Sequence, residues 1–296
     1  MQDFKYFKKI ISKNILFMMI LVLLLVGVSE RIVNLMVAND SYVLDRNKSI
    51  FRILREPENS VDIIVLGDSL GMTSISPMAW WGDYGMTGYV CGQTGQRMQE
   101  AFHMLQAAYE TQSPKLVILE TNMVFRCKNL SSEVKDCLGE IGYRYIPIFQ
   151  GHDIWKSMLS EKQYPAENYK GFAFRCETVP YEQGEYMQKN DQKEEISKIV
   201  SFYLEKIRKL CEKNGTKLLL VSTPSPINCN YARHNSIEAY AREKGLDFLD
   251  LNLKTEEIGI NWKTDSLDNG DHLNYSGADK VTRYLGNYLT QNYTFP

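Results

Sequence analysis

The chain has 296 residues, a formal net charge of −2 and 24% charged residues, and 44% of its residues are hydrophobic. This globular composition excludes disordered, collagen-like and low-complexity chains. The near-neutral charge argues against nucleic acid as a partner, because proteins that bind it usually carry a basic excess. The length fits one large domain, and no repeat of about 20–50 residues points to a solenoid or a propeller.

The N-terminus combines positive charge with strong apolarity. Residues 1–14 carry four lysines, and residues 15–28 form an unbroken apolar run. Fourteen helical residues span about 21 Å, less than the roughly 30 Å hydrocarbon core of a bilayer. Counting from Ile10 lengthens the segment to nineteen residues, provided that Lys13 extends to the headgroups. The pattern predicts a membrane anchor within residues 1–37.

A cleaved signal peptide is the alternative interpretation of this segment, because Gly27 and Ser29 fit a small-x-small cleavage site. In both cases the lysines keep the N-terminus in the cytoplasm and direct the rest of the chain outside. We therefore expect a single-pass membrane protein with an extracytoplasmic C-terminal domain, or a secreted protein if the segment is cleaved.

After a polar, irregular linker at 38–60, short apolar runs alternate with helical patterns. Strands are predicted at 61–66, 89–91, 115–120, 217–222 and 246–251. Helices are predicted at 96–111, 194–214, 236–244 and 276–292. Apolar strands separated by helices are typical of a parallel sheet covered on both faces. We therefore predict one α/β domain over residues 61–296, with an insertion at about 122–192 near the carboxyl ends of the strands.

The tetrapeptide Gly67-Asp68-Ser69-Leu70 follows the first predicted strand. A serine at this point would lie at the end of the sheet, where a nucleophile is accessible. The alternative is that Asp68 or Ser69 only caps the next helix.

A nucleophilic serine needs a base, and four histidines are available. His103 falls within a predicted helix, which favours a packing or surface role, and His234 falls in a predicted polar loop. His272 stands in Asp-Asn-Gly-Asp-His-Leu-Asn (268–274), just before the last predicted helix. Its carboxylate neighbours make it the candidate base for Ser69.

These two segments resemble the SGNH/GDSL hydrolase superfamily, over roughly residues 60–292. The resemblance implies a flavodoxin-like three-layer α/β/α sandwich, with Ser69 as nucleophile and His272 as base. It implies an oxyanion hole made by Gly95, in Gly-Gln-Thr-Gly (92–95), by Asn122, in Glu-Thr-Asn-Met (120–123), and by the Ser69 N–H.

The sequence departs from the family pattern at two places. The block around Asn122 usually reads Gly-x-Asn-Asp, and the last block usually reads Asp-x-x-His. Here Asn269 stands three residues before His272, so Asp268 is one residue farther away and Asp271 is adjacent. We prefer Asp268 as the residue that orients the histidine and keep Asp271 as the alternative; without either, Ser69 and His272 would form a dyad.

The extracytoplasmic layout further resembles DltD-like proteins, which act beside a multi-spanning membrane O-acyltransferase. The residues that carry this resemblance are Ile-Ser-Pro (75–77), Trp80-Trp81, His-Asp-Ile-Trp-Lys (152–156) and Lys-Gly-Phe (170–172). The insertion is also rich in aromatic residues, among them Trp155, Tyr164, Tyr169, Phe172 and Phe174. Their rings either line a groove that binds a sugar or an acyl group, or only pack against one another within the insertion.

The combined expectation is an extracytoplasmic O-acyl esterase or O-acyltransferase that acts through an acyl-serine. Its predicted substrate is an acylated carbohydrate or cell-envelope polymer, its predicted partner is a membrane O-acyltransferase, and we expect neither a cofactor nor a metal. The alternative is a non-catalytic scaffold or binding protein of the same fold that recruits such an acyltransferase, which the altered Asp-x-x-His spacing favours.

Overall fold

The computed structural model describes residues 2–39, 48–126, 130–146, 149 and 169–295. One sheet of five parallel strands forms its centre, in the spatial order β2-β1-β3-β4-β5. The strands are β1 (Ile63–Gly67), β2 (Gly88–Gly92), β3 (Leu116–Glu120), β4 (Lys217–Ser222) and β5 (Asp247–Asp250). This is the flavodoxin-like order 2-1-3-4-5. The prediction of an α/β domain with a central parallel sheet is confirmed.

Ten α-helices lie in the described part of the chain. They are α1 (Gln2–Ala38), α2 (Lys48–Ile53), α3 (Ser69–Ser74), α4 (Pro77–Tyr84), α5 (Met98–Ala108), α6 (Leu130–Tyr145), α7 (Lys198–Lys213), α8 (Tyr231–Lys244), α9 (Thr255–Ile258) and α10 (Tyr275–Asn292). Short 3₁₀ helices follow β3 at Thr121–Phe125 and β5 at Leu251–Lys254. Helices α2, α5, α7 and α8 pack on one face of the sheet, and α3, α4 and α10 on the other.

The strands are buried on both faces because their residues alternate between two apolar cores. Ile64 and Leu66 of β1 belong to the core under α5 and α7. Ile63 and Val65 of the same strand belong to the core under α4 and α10. Such two-sided burial explains why the strands read as unbroken apolar runs in the sequence.

Helix α1 is joined to the domain through α2. Met36 near the end of α1 packs with the buried ring of Phe51 on α2. Ile53 of α2 is fully buried in the α5 side of the core, and the Ser49 hydroxyl donates a 2.5 Å hydrogen bond to the Gly92 carbonyl at the end of β2. Residues 48–53, expected to be part of an irregular linker, are thus a packed helix.

The N-terminal helix contains a stretch, Lys13–Ala38, that is long and apolar enough to cross a membrane or to serve as a signal sequence. Its apolar side chains between Ile15 and Val28 are exposed on the protein. Helix α1 continues for ten residues beyond Val28 to Ala38, which corresponds to about 15 Å.

Part of the expected insertion covers the edge strand β2. The Val90 N–H donates to the Lys170 carbonyl at 2.8 Å. Gly171 has φ of 84°, and a Cβ there would lie 2.0 Å from the Val90 carbonyl oxygen, so only glycine fits. The chain that follows is bonded to α3, where the Ala173 N–H donates to the Met72 carbonyl, and to the start of α10, where the Tyr275 N–H donates to the Arg175 carbonyl. Trp155, Tyr164 and the 152–156 motif lie outside the described residues.

One helix begins earlier than the sequence pattern indicated. Helix α8 starts at Tyr231, because the Asn230 side chain accepts a hydrogen bond from the Arg233 N–H and caps it. His234, expected in a polar loop, therefore lies on a helix, where its Nδ1 is 2.8 Å from Asp250 Oδ2. That hydrogen bond raises the pKa of His234 above its ordinary value.

Candidate active site

Ser69 lies at the carboxyl end of β1, as the first residue of α3. The preceding Asp68 caps α3, since its Oδ1 accepts from the Leu70 N–H at 2.9 Å. Gly67 allows this turn to pack closely: a Cβ there would be 3.0 Å from Gly71 Cα and 3.3 Å from Glu120 Cβ. Asp68 therefore has the capping role considered for it, and Ser69 remains half-exposed at the edge of the sheet.

The structure brings Ser69, His272 and Asp268 together in a chain of hydrogen bonds. Ser69 Oγ lies 2.8 Å from His272 Nε2, across 203 residues of sequence. His272 Nδ1 lies 2.7 Å from Asp268 Oδ2, and the His272 backbone N–H donates to Asp268 Oδ1 at 2.7 Å. A carboxylate can only accept, so Nδ1 carries the proton and Nε2 is left to accept from the serine hydroxyl.

Asp268 reaches the histidine because the loop between them curls tightly. Asn269 and Gly270 both have positive φ, 61° and 89°. Leu267 N–H donates to the His272 carbonyl at 2.9 Å, which closes the loop. Asp271, the alternative orienting residue, has its Oδ1 3.7 Å from His272 Nδ1, beyond hydrogen-bond distance.

Asn122 follows β3 and approaches Ser69 through the buried carboxylate of Asp68. Its Nδ2 donates to Asp68 Oδ2 at 2.8 Å, and its side chain is 5% exposed. Arg126 Nε donates to the same carboxylate oxygen. An amide nitrogen carries two hydrogens, and within the described residues only one N–H of Asn122 has an acceptor.

Glu120, the last residue of β3, is fully buried beside this site. Its Oε2 accepts from the Asn122 N–H at 3.1 Å, and its Oε1 accepts from the Thr223 hydroxyl at 3.3 Å. Burial, followed by the negative charge of Asp68, raises the pKa of Glu120 well above its ordinary value. Glu120 therefore binds its proton more tightly in the folded protein than in the unfolded chain.

Gly95, expected at the oxyanion hole, lies in the turn that follows β2, with φ of 67°. The Gln96 N–H donates to the Gln93 carbonyl at 3.0 Å and closes this turn. Among the described residues, no hydrogen bond joins Gly95 to Ser69 or Asn122, so its role stays a prediction.

Among the described residues, neither His103 nor His234 forms a hydrogen bond with Ser69, since their ring nitrogens face Gln106 and Asp250. His103 is 4% exposed and packs between the rings of Phe102 and Tyr203 on α5 and α7, as a packing role predicts. His152 lies outside the described residues. A role for Arg126 could not be predicted, because an isolated arginine beyond the end of a predicted strand forms no recognisable pattern.

Asp268, Asp271 and His272 offer potential metal-ligand atoms within 4.8 Å of one another. Both ring nitrogens of His272 already have partners, Nδ1 in Asp268 and Nε2 in Ser69. The arrangement therefore suits a proton relay between the serine hydroxyl and the carboxylate.

Comparison of the sequence with protein-family models gives no match, and comparison with curated proteins gives none. The structure is similar to that of a proposed acylhydrolase from Bacteroides fragilis, at 12% identity and a TM-score of 0.43, over 84% of this chain and 97% of the other. It is also similar to a GDSL-like lipase from Bacteroides thetaiotaomicron, at 12% identity and a TM-score of 0.38, over 77% of this chain and 87% of the other.

The elevated pKa of Glu120 predicts a specific pH dependence of stability. The folded state holds this proton more tightly than the unfolded chain, so the stability contributed by protonated Glu120 is lost as pH rises above its ordinary pKa of 4.5. Glu120→Gln has no proton to lose. Its free energy of unfolding, relative to the unsubstituted chain, should therefore increase as the pH rises above about 5. Urea unfolding of the full chain in detergent, at several pH values, measures this difference.

Glu205→Gln is the matched control. A hydrogen bond from Arg208 lowers the pKa of Glu205, so the stability from this carboxylate is present above its ordinary pKa and is lost as pH falls. Above about pH 5 this carboxylate is ionised in both the folded and the unfolded chain, so the control's difference should stay nearly constant over the range in which Glu120→Gln is measured. A difference between Glu120→Gln and the unsubstituted chain that does not change with pH would contradict the raised pKa of Glu120.

Proposed function

We propose that the chain is a serine-dependent acyl esterase or O-acyltransferase that works through an acyl-Ser69 intermediate. The observation that carries the proposal is the relay itself, with 2.8 Å between Ser69 Oγ and His272 Nε2 and 2.7 Å between His272 Nδ1 and Asp268 Oδ2. Nucleophile, base and orienting carboxylate are thus each within hydrogen-bond distance of the next.

In the acylation step, Ser69 Oγ attacks the carbonyl carbon of an acyl ester and His272 Nε2 takes the hydroxyl proton. Asp268 stabilises the imidazolium that forms. The free N–H of Asn122 and the N–H of Ser69 would donate to the developing oxyanion, and Gly95 is the predicted third donor. His272 then returns the proton to the alcohol oxygen as the bond to the acyl group breaks.

Deacylation reverses these roles with a new nucleophile. His272 takes a proton from water or from an acceptor hydroxyl, whose oxygen attacks the carbonyl carbon of the acyl-serine. The bond between that carbon and Ser69 Oγ then breaks, and His272 returns the proton to Ser69 Oγ. Water releases a carboxylic acid, which is hydrolysis, and a sugar or polyol hydroxyl forms a new ester, which is transfer. The degree to which the bound acceptor excludes water decides between the two outcomes.

The N-terminal helix supports a location at a membrane. Four lysines precede its apolar part, which favours a cytoplasmic N-terminus and an extracytoplasmic domain. The contact between Met36 and Phe51 joins the end of this helix to the domain. The domain would thus lie within about 15 Å of the end of the apolar run, where a multi-spanning membrane O-acyltransferase is the partner we propose.

Three exposed rings beside the relay support an acylated carbohydrate as substrate. Tyr169, Phe174 and Tyr275, here called the aromatic platform, are 38%, 41% and 44% exposed. Ring centroids are 5.9 Å apart for Tyr169 and Phe174 and 4.8 Å apart for Phe174 and Tyr275. Tyr275 comes three residues after His272, and the Ala173 N–H donates to the Met72 carbonyl on α3 at 2.8 Å.

The chemistry of the platform fits sugars better than a free acyl chain. Exposed aromatic faces accept the C–H face of a sugar ring, and the two tyrosine hydroxyls can bond its hydroxyl groups. An acyl chain gains most in an enclosed apolar cavity, whereas these rings are open to solvent. We therefore propose an acylated cell-envelope polysaccharide as the substrate class.

The alternative of a non-catalytic scaffold was based on the altered Asp-x-x-His spacing. The tight turn at Asn269 and Gly270 compensates for that spacing, because it places Asp268 within hydrogen-bond distance of His272.

Acylation of Ser69 is the first expected outcome. The full chain in detergent micelles, treated with 4-nitrophenyl acetate, should gain one acetyl group on the peptide that contains Ser69, as detected by mass spectrometry. Ser69→Ala should abolish the adduct and lower ester turnover by about 10³-fold or more, because the nucleophile is lost. Ser201→Ala, at an exposed serine on α7, should leave both unchanged.

A folded, unsubstituted chain that forms no adduct and turns over no ester would contradict the proposed function. Adding a polyol during the reaction separates the two activities: ester on the polyol shows transfer, and free acetate shows hydrolysis.

The second expected outcome concerns the aromatic platform. Phe174→Ala and Tyr275→Ala should raise KM for an acetylated xylo-oligosaccharide about three- to tenfold, because each removes a stacking surface. Their rates with 4-nitrophenyl acetate, which is too small to need the platform, should remain within about twofold of the unsubstituted chain. Phe202→Ala, which removes a 55% exposed ring on α7, is the matched control. Equal KM values in all three variants would contradict a carbohydrate role for the platform.

A further inference from the structure

Arg233 on α8 is held from several sides beside the candidate oxyanion hole. Its Nε and Nη2 donate to the two carboxylate oxygens of Glu194 at 2.8 Å and 3.1 Å. Its guanidinium carbon lies 4.8 Å from the centroid of the Phe125 ring. Its Nη1 donates to the Asn228 carbonyl at 2.5 Å. These contacts fix the plane of the guanidinium group.

The same Nη1 also donates to Asn122 Oδ1 at 3.4 Å. The Asn122 amide is thus held at both ends, its oxygen facing Arg233 and its nitrogen facing Asp68. A flipped amide would place its nitrogen against the cationic guanidinium and its oxygen against the Asp68 carboxylate. Both arrangements are unfavourable, because like partial charges would meet.

A second connection runs from Arg233 towards the histidine loop. Asn228, whose carbonyl accepts from Arg233, donates through its Nδ2 to Asp271 Oδ1 at 2.5 Å. The nearby Ser225 hydroxyl donates to the Asp271 carbonyl at 2.7 Å. Asp271 is therefore bonded to the segment after β4, one residue before His272.

We propose that Arg233 is a positioning residue, which holds the Asn122 amide with its nitrogen directed at the acyl oxygen. This inference rests on the proposed function, because it assigns Asn122 to the oxyanion hole. Arg233 itself touches no reacting atom, and it acts through the orientation of Asn122. Lysine cannot replace it fully, since one ammonium cannot bond both Glu194 oxygens and Asn122 in a fixed plane.

A double-mutant cycle tests this role in the full chain in detergent micelles. Arg233→Met should lower kcat for 4-nitrophenyl acetate about 10- to 100-fold with little change in KM, because the oxyanion donor is misplaced. In an Asn122→Ala background, where no amide remains to be positioned, the same substitution should cost less than about threefold. Arg233→Lys should lower kcat less than Arg233→Met does. It also provides a second variant for the same cycle if Arg233→Met does not fold.

Arg208→Met is the matched control, because Arg208 makes the same two-point contact with Glu205 on α7, at 2.9 Å and 2.8 Å. It should leave kcat unchanged. If Arg233→Met loses as much activity in the Asn122→Ala background as in the unsubstituted chain, Arg233 only supports the fold and the proposal is overturned. An increase in KM without a decrease in kcat would overturn the proposal as well.

A readout without turnover separates this proposal from the proposed function. The two side-chain N–H signals of Asn122 in a ¹⁵N spectrum should shift and exchange faster in Arg233→Met, and should be unchanged in Arg208→Met. Unchanged signals in Arg233→Met would overturn the positioning role in an active or an inactive protein. Absence of Ser69 acylation in the unsubstituted chain, together with shifted Asn122 signals, would overturn only the proposed chemistry and leave the orientation of the amide by Arg233 supported.

Discussion

The fully buried carboxylate of Asp68 is the interaction on which the candidate site depends. One oxygen caps α3 and fixes the position of Ser69, and the other accepts from Asn122 and Arg126. A buried charge is tolerated only when it is paired and fully hydrogen-bonded, so these partners are required together. These hydrogen bonds join the carboxyl ends of β1 and β3, so Ser69 and the Asn122 amide are held at a fixed distance from each other.

The parallel sheet explains why these residues meet. In a sheet of order 2-1-3-4-5, the carboxyl ends of all five strands lie at one edge, which is where α/β proteins bind ligands. Ser69 follows β1, Asn122 follows β3 and the Asn228 segment follows β4. His272 reaches the same edge from the loop before α10, and the aromatic platform lies beside it through Tyr275. The rigid sheet therefore sets the distances, while loops supply most of the chemistry.

Some features of the structure could be predicted from the sequence, either from local residue patterns or from the family resemblance. The strands of the two-sided sheet are read from apolar runs, and the Ser69–His272 contact is expected from the two sequence motifs that carry the family resemblance. The sequence favours Asp268 over Asp271 as the orienting residue but leaves the alternative open, because the outcome depends on positive φ at Asn269 and Gly270 rather than on residue spacing.

Other features depend on long-range packing that a single sequence does not reveal. The Arg126–Asp68 and Arg233–Asn122 contacts join residues that are 58 and 111 positions apart. Helix α2 was overlooked because its surroundings are polar, although Ile50, Ile53 and Leu54 have helical spacing and pack on the core. The oxyanion role of Gly95 remains a prediction from resemblance.

The most direct test of the Ser69–His272–Asp268 relay compares Asp268, four residues before His272, with Asp271, which directly precedes His272. Pre-steady-state acylation of Ser69 by 4-nitrophenyl acetate would be measured in Asp268→Asn and Asp271→Asn. The account predicts a loss of about 10²- to 10⁴-fold for Asp268→Asn, because His272 loses the partner that fixes its tautomer, and of less than about tenfold for Asp271→Asn. Equal losses, or full acylation in Asp268→Asn, would contradict the relay.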